Sequence, residues 1–254
     1  MTKNGKIMIF IGVLLFIAAL VVCGSVLFTV KRSQIVWYST TSALSTLSEE
    51  DVLQASGVRD NSVFSLDREI AVENIEKKYH FIRILDLEVV YPNLLKVHAM
   101  ERQKVYAIPT DYGDYLITDE YLKVLDIVPD FTNSNVTPIL LNIELANNYE
   151  KGDTIEFTRA STFSSIYNAF FALGQDLSHM RAICKEFVYT NSKLTIKTHF
   201  DVDIVLDNPT QNTKAKMQLA IKCFDLLGTE EYGAVNLKVF LDENQKLNCV
   251  VEDK

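Results

Sequence analysis

Acidic residues are absent from the first 30 positions of this 254-residue chain, and no charge of either sign falls between Ile7 and Val30. That uncharged run has 24 residues, whereas roughly 20 apolar residues in a helix cross the hydrocarbon core of a bilayer. A buried core helix of this length would need a much larger domain around it. The run therefore predicts a transmembrane helix over residues 7–30, preceded by a short tail over residues 1–6.

The run does not resemble a processed export signal. A signal peptide has a shorter apolar region and a cleavage site of small residues, but this run ends in the bulky segment 27–30. A lipoprotein cysteine follows a small residue, but Cys23 follows Val22. We expect an uncleaved anchor. Lysines and arginines flank it on both sides, so the positive-inside rule discriminates little; the short tail before a long domain favours a cytoplasmic N-terminus and an external C-terminal part.

Basic residues are too few after the anchor to balance the acids. Of the 25 Lys and Arg, 23 lie after residue 30 together with all 33 Asp and Glu, so this part carries about ten net negative charges. Such a balance argues against binding to nucleic acid or to anionic lipid.

Cysteine is also scarce. Outside the span only Cys184, Cys223 and Cys249 remain, an odd number at distant positions that is not a disulfide framework. These residues are expected to be small buried side chains. An exported domain rich in Lys and Asn and poor in disulfides suits a bacterium.

Motifs for chemistry are missing as well. The four histidines have no metal-ligand spacing on a helix, and the sequence holds no HExxH, no Gly-rich phosphate loop and no GxSxG. Asp201, Asp203 and Asp207 fit a solvated strand face better than a calcium loop, which would carry a glycine. We predict no metal, no cofactor and no catalysis, although a triad that the fold assembles from distant residues stays an open alternative.

The first folded unit is predicted to run over residues 31–108. The passage 33–46 contains a short strand and then a loop. Ser48 is a candidate N-cap for a helix that Gly57 ends, and Ser65 a candidate N-cap for a second helix of about 14 residues. Period-two patterns over 85–90 and 95–100 flank a turn at 91–93, which is typical of a hairpin. The order is strand, helix, helix, strand, strand.

The second unit is predicted to run over residues 109–254. Two helices are predicted in this unit. One runs over 214–227, and the other is amphipathic and is marked by Phe163, Ile166, Phe170 and Leu177. The predicted strands are 115–118, 122–128, 187–189, 194–200, 202–206, 235–241 and 247–251. The fold class is α+β, with a mostly antiparallel, curved sheet.

The final strand is the candidate binding site. A sheet that ends on a C-terminal strand offers unpaired N–H and C=O groups, to which a partner peptide can add. The candidate residues are Leu247, Asn248, Cys249, Val250 and Val251. The alternative is an edge that its flanking charges, at residues 252–254, simply protect.

Three passages resemble the FtsQ/DivIB family of bacterial division proteins. The segment Ser48–Asp67 resembles the start of the family's POTRA domain. The segment Tyr91–Ile108 resembles its pattern P-x-x-L-x-I-x-V-x-E-R-x-P-x-A, with Lys104 in place of the second proline. The matching residues are Pro92, Leu95, Val97, Ala99, Glu101 and Arg102. The segment Asn208–Phe240 resembles its late helix and strand.

The resemblance implies a POTRA domain over 31–108, a β domain over 109–254 and a non-enzymatic scaffold at the division septum. The implied partners are single-pass division proteins of FtsB/DivIC and FtsL type, which add along the C-terminal strand, and septal cell-wall synthases. A POTRA-type binding protein of another envelope assembly, in secretion or sporulation, is the alternative.

Overall fold

The computed structural model describes residues 3–38, 47–131, 137–190, 192–227 and 234–254. The chain divides into two compact units, residues 1–102 and 103–254. Each unit has its own hydrophobic core.

The first unit begins with one long helix and continues as a small α/β fold. Its helices are α1 (Lys3–Leu27), α2 (Glu49–Ser56) and α3 (Arg68–Lys78), and its strands are β1 (Arg32–Trp37), β2 (Ile82–Val90) and β3 (Leu94–Glu101). In α1, the segment Phe10–Leu27 is long and apolar enough to cross a membrane, and none of it is buried. The order strand, helix, helix, strand, strand after α1 is the predicted one; the predicted loop over 39–46 lies outside the described residues.

Local capping chemistry sets both ends of α2. The hydroxyl of Ser48 accepts a hydrogen bond from the backbone N–H of Asp51, and the Asp51 carboxylate accepts one from the backbone N–H of Ser48. This capping box confirms the predicted start. Gly57 ends the helix at φ 70°, in the left-handed conformation that glycine adopts without steric cost.

The predicted start of the next helix is wrong by two residues. Asp67, not Ser65, is the N-cap of α3, because its carboxylate accepts from the backbone N–H groups of Glu69 and Ile70. Ser65 instead donates its hydroxyl to the Ser62 carbonyl in the preceding turn. The helix is consequently shorter than predicted, at 11 residues.

The sheet of the first unit has the order β1-β3-β2, with β1 parallel and β2 antiparallel to the central β3. The β2–β3 hairpin confirms the predicted turn at 91–93. A register shift between Ile84 and Asp86 places Leu85 on the solvent side, 45% exposed, although the period-two pattern grouped it with the inward Leu87. A bulge of this kind inserts one residue and reverses the alternation on one side of it.

The unit boundary follows Arg102, whereas the predicted boundary follows Ile108. The reason is a short strand, β4 (Tyr106–Pro109), that the sequence pattern did not reveal and that belongs to the sheet of the second unit.

The second unit is a nine-stranded sheet with helices against it. The remaining strands are β5 (Tyr115–Thr118), β6 (Val124–Val128), β7 (Ile139–Asn142), β8 (Cys184–Thr190), β9 (Lys193–Thr198), β10 (Val202–Asp207), β11 (Val235–Leu241) and β12 (Leu247–Asp253). The helices are α4 (Ala160–Ala172), α5 (Leu177–Ile183) and α6 (Thr213–Leu227). The order across the sheet is β12-β11-β10-β9-β8-β7-β4-β5-β6.

This sheet is mixed, with three parallel pairings among the described strands: β4 with β7, β7 with β8, and β10 with β11. Parallel neighbours need a long crossover in the chain between them. The crossover from β7 to β8 contains α4 and α5, and the crossover from β10 to β11 contains α6. The structure therefore confirms a mixed α/β organisation, with more parallel pairing than predicted.

The amphipathic helix predicted from Phe163 to Leu177 is two separate helices, α4 and α5, in the structure. Gly174 adopts φ 76°, which ends α4, and the Asp176 carboxylate then caps α5 by accepting from the His179 backbone N–H. Leu177 belongs to α5 and still reaches the same core as Phe163 and Phe170.

Candidate partner-binding edge

Strand β12 is an outermost strand of the nine-stranded sheet. It pairs with β11 in an antiparallel register from Leu247 opposite Leu241 to Asp253 opposite Val235. Among the described residues of the second unit, no strand pairs with its other side. The predicted segment 247–251 is therefore a strand at an edge, and the strand continues two residues further than predicted.

The register shows which backbone groups point away from the sheet. The Lys254 N–H donates to the Ala234 carbonyl at 3.1 Å, and at the turn the Asp242 N–H donates to the Lys246 carbonyl at 2.9 Å. Hydrogen-bonded and non-hydrogen-bonded pairs alternate in an antiparallel ladder. The residues bonded inward to β11 are thus Asn248, Val250 and Glu252, opposite Phe240, Lys238 and Asn236. The N–H and C=O groups of Leu247, Cys249, Val251 and Asp253 point outward.

The two faces of β12 have different surroundings. Leu247 and Cys249 pack against the core beneath α6, beside the inward-facing Val239. Burial raises the pKa of the Cys249 thiol to about 12, with a contribution from the neighbouring Cys223 of α6. The raised pKa lowers the thiolate fraction of Cys249, so this thiol is less reactive than an exposed cysteine at the same pH. The strand becomes more exposed toward its end, where Val250 and Val251 are 43% and 42% exposed.

The opposite edge of the same sheet is covered at the start of β6. The Val124 N–H of β6 donates to the Asp153 carbonyl, and the Gly152 N–H donates to the Val124 carbonyl, both at 2.8 Å. Lys123 and Thr154 form a further bridge beside them. Folded proteins commonly protect sheet edges in this way. Strand β12 offers a longer open side, seven residues without such a cover in the described part of this unit, and is therefore the better candidate for strand addition.

Charges surround the exposed end of β12. Lys238 on β11 lies 3.4 Å from the Glu252 carboxylate, and the Lys254 ammonium lies 3.0 Å from the Asp203 carboxylate. Exposed pairs of this type contribute little to stability. They hold the last residues of the strand against their neighbours, while the Asp253 side chain remains exposed.

The other sequence candidates do not assemble into a site. His98 contacts the Tyr38 hydroxyl, and His179 contacts the Asp176 carboxylate, each at the surface of its element. Within the described ranges, no three His, Cys, Asp or Glu side chains are grouped to hold a metal ion. Asp203 and Asp207 lie on the face of β10 that is turned away from the core and pair with lysines, but their side chains are only 18% and 24% exposed. This face is therefore less solvated than predicted.

A groove of about 780 Å³ in the second unit bears on the hydrolase alternative, because Ser178, His199 and Glu186 line it. The Glu186 carboxylate is paired with Lys197 at 2.7 Å. None of the hydrogen bonds found among the described residues joins Ser178 to His199. The groove thus lacks the bonded nucleophile and base of a triad in this conformation, and the absence of catalysis stays a prediction.

Neither a protein-family model nor a curated protein matches this sequence.

Proposed function

We propose that this protein is a membrane-anchored, non-enzymatic scaffold of FtsQ/DivIB type, which binds other single-pass division proteins at the septum. Three features support the proposal: the sequence resemblance, the single N-terminal apolar helix, and the strand-helix-helix-strand-strand order expected of a POTRA domain. The observation that carries it is the open outer side of β12.

The proposed mechanism is strand addition. Four residues of β12 present outward N–H and C=O groups, so an incoming strand forms a regular ladder along 247–253. Each such hydrogen bond contributes about 0.5–1.5 kcal/mol net, so a few of them together with the burial of Val250 and Val251 suffice for specific but reversible binding. The acidic end of the strand favours basic residues in the partner.

The proposed topology has α1 in the cell membrane, its N-terminus in the cytoplasm and both folded units outside. The proposed partners are proteins of FtsB/DivIC and FtsL type, through which the complex supports septal peptidoglycan synthesis.

A proline substitution at Val251 tests the mechanism, because the Val251 N–H points outward. Val251→Pro removes that donor without removing a bond to β11, and proline is tolerated on edge strands in this orientation. An unpaired carbonyl in the partner costs about 1–3 kcal/mol, and a factor of ten in affinity corresponds to 1.4 kcal/mol. We expect at least tenfold weaker capture of the FtsB/DivIC-type protein from the same organism.

Val251→Ala is the matched control, because it removes most of the side chain and keeps the N–H. We expect it to bind within a few-fold of the unchanged protein. Equal binding by Val251→Pro and Val251→Ala, with unchanged circular dichroism, would count against strand addition at β12.

Fluorescence microscopy of an N-terminal fusion tests the cellular role. A band at mid-cell in dividing cells supports the division scaffold. Uniform membrane signal at every stage would contradict it and favour another envelope assembly.

A further inference from the structure

Three aromatic rings surround the point where α1 ends. Phe28, one residue after α1, lies with its ring centroid 5.2 Å from that of Phe64 and 6.2 Å from that of Tyr91, and the Phe64 and Tyr91 centroids are 5.9 Å apart. We call these three residues the aromatic collar. Phe64 and Tyr91 are 69% and 61% exposed, an arrangement that the core of the first unit does not explain.

Backbone hydrogen bonds hold the Phe64 loop beside the end of α1. The Val63 N–H donates to the Phe28 carbonyl and the Val30 N–H donates to the Asn61 carbonyl, both at 2.9 Å. Thr29 and Ser62 form a β-bridge between these two bonds. The loop is therefore fixed to the residues that directly follow the helix.

The turn that carries Tyr91 is fixed to the same segment. The Lys31 N–H donates to the Asn93 carbonyl at 3.1 Å, and the Arg32 guanidinium donates to the Asn93 side-chain oxygen, also at 3.1 Å. Two loops that are far apart in sequence thus each place an exposed ring beside Phe28.

With α1 taken as the membrane anchor, its length puts the collar at the level of the membrane surface. The 18 residues Phe10–Leu27 span about 27 Å at about 1.5 Å per residue, close to the roughly 30 Å of a hydrocarbon core. Phe28 follows immediately and so lies at the boundary between acyl chains and headgroups. Tyr is enriched in that layer because its apolar ring and polar tip are both accommodated there, and Phe rings bury at the boundary of headgroups and acyl chains in interfacial segments.

We propose that the aromatic collar is a second membrane contact, in which Phe64 and Tyr91 insert into the interfacial layer of the same bilayer that α1 crosses. The contact holds the Phe64 loop and the β2–β3 turn against the lipid and fixes the orientation of the first unit on the membrane. The inference rests on α1 as the anchor and is independent of any role in division.

Quenching by brominated lipid tests the contact, with the full chain reconstituted into phosphatidylcholine vesicles that carry bromine high on the acyl chains. Trp37 is the only tryptophan in the chain, so Trp37→Phe provides a silent background. In that background we expect Phe64→Trp and Tyr91→Trp to lose at least half of their fluorescence and to shift to shorter emission wavelengths.

Tyr38→Trp is the control for a solvent-exposed aromatic site, because Tyr38 is 63% exposed and follows the far end of β1. That position is about 20 Å from Arg32 along the strand, at about 3.3 Å per residue. We expect little quenching there.

Val26→Trp, within α1, reports insertion of the helix itself. One outcome would overturn the collar contact and leave the anchor intact. In that outcome the tryptophan at position 26 is quenched, but those at positions 64 and 91 are quenched no more than the one at position 38. Absence of quenching at position 26 would overturn both. A shift of the Phe64→Trp emission to shorter wavelengths without quenching would indicate a protein neighbour and would also contradict the proposal.

Discussion

The ion pair between Glu76 on α3 and Arg102 after β3 is nearly enclosed by the first unit. The Glu76 Oε2 and Arg102 Nη2 atoms are 2.7 Å apart, and the two side chains are 17% and 6% exposed. Glu76 Oε1 also accepts the Ile84 N–H at 2.8 Å, and Arg102 Nε donates to the Ile82 carbonyl at 2.9 Å. The pair thereby connects α3 to the β2 edge of the sheet.

Glu76→Gln removes the charge while it keeps the shape of the side chain and an acceptor for Ile84. Loss of one partner from a buried pair costs roughly 3–5 kcal/mol. Because Glu76 retains some exposure, we expect the lower end, about 3 kcal/mol of unfolding free energy. The control is Glu50→Gln, which removes an ion pair with Arg59 whose side chains are 52% and 46% exposed. An exposed pair contributes at most about 1 kcal/mol.

Urea unfolding of the full chain in detergent micelles measures both variants. Trp37 lies on β1 and packs against the core of the first unit, so its fluorescence follows that unit alone. We expect a clearly lower urea midpoint for Glu76→Gln and a nearly unchanged one for Glu50→Gln. Equal midpoints for the two variants would refute the argument from burial.

Two further predictions concern the second unit. Lys216 is 1% exposed, and its ammonium donates to the backbone carbonyls of Asp207 and Asn208 at 2.6 and 3.0 Å. The Asn208 carbonyl also accepts the Gln211 N–H at 3.0 Å, so Lys216→Met deprives chiefly the Asp207 carbonyl of its donor and should cost about 2 kcal/mol of unfolding free energy. A thermal melt followed by circular dichroism that matches the unchanged protein would contradict this. Burial raises the pKa values of the Cys184 and Cys249 thiols above that of a free cysteine. At pH 8 we therefore expect iodoacetamide to alkylate both thiols at least tenfold more slowly in the folded chain than in urea, as measured by mass spectrometry. Equal alkylation rates would show that the thiols are accessible as thiolates.

The sequence predicts elements whose signals are local. The start and end of α2 depend on Ser48 and Gly57, residues within or next to the helix, and both predictions are confirmed. Ser65 and Asp67 are both good N-caps by residue type, and the choice between them depends on which carboxylate or hydroxyl reaches the free N–H groups. The bulge at Leu85 leaves no mark on the apolar pattern because it arises from pairing with β3.

Elements that depend on distant partners were harder to predict. Strand β7 has four residues and β4 ends in Pro109, so neither shows a clear period-two pattern; parallel neighbours stabilise both. For the candidate site, the sequence predicted a final strand over 247–251, and β12 confirms it. Its place at the edge, and the alternation of inward and outward backbone groups, follow only from the strand order and the register with β11.

Residue-resolved amide hydrogen exchange along β12, with and without the FtsB/DivIC-type protein, tests the central claim most directly. In the free chain we expect fast exchange at the outward amides of Leu247, Cys249, Val251 and Asp253 and slower exchange at the inward amides between them. Bound partner should slow the outward amides at least tenfold and change the inward ones little, because only the outward groups gain new hydrogen bonds. Unchanged exchange at the outward amides of a chain that has captured its partner would contradict strand addition at this edge.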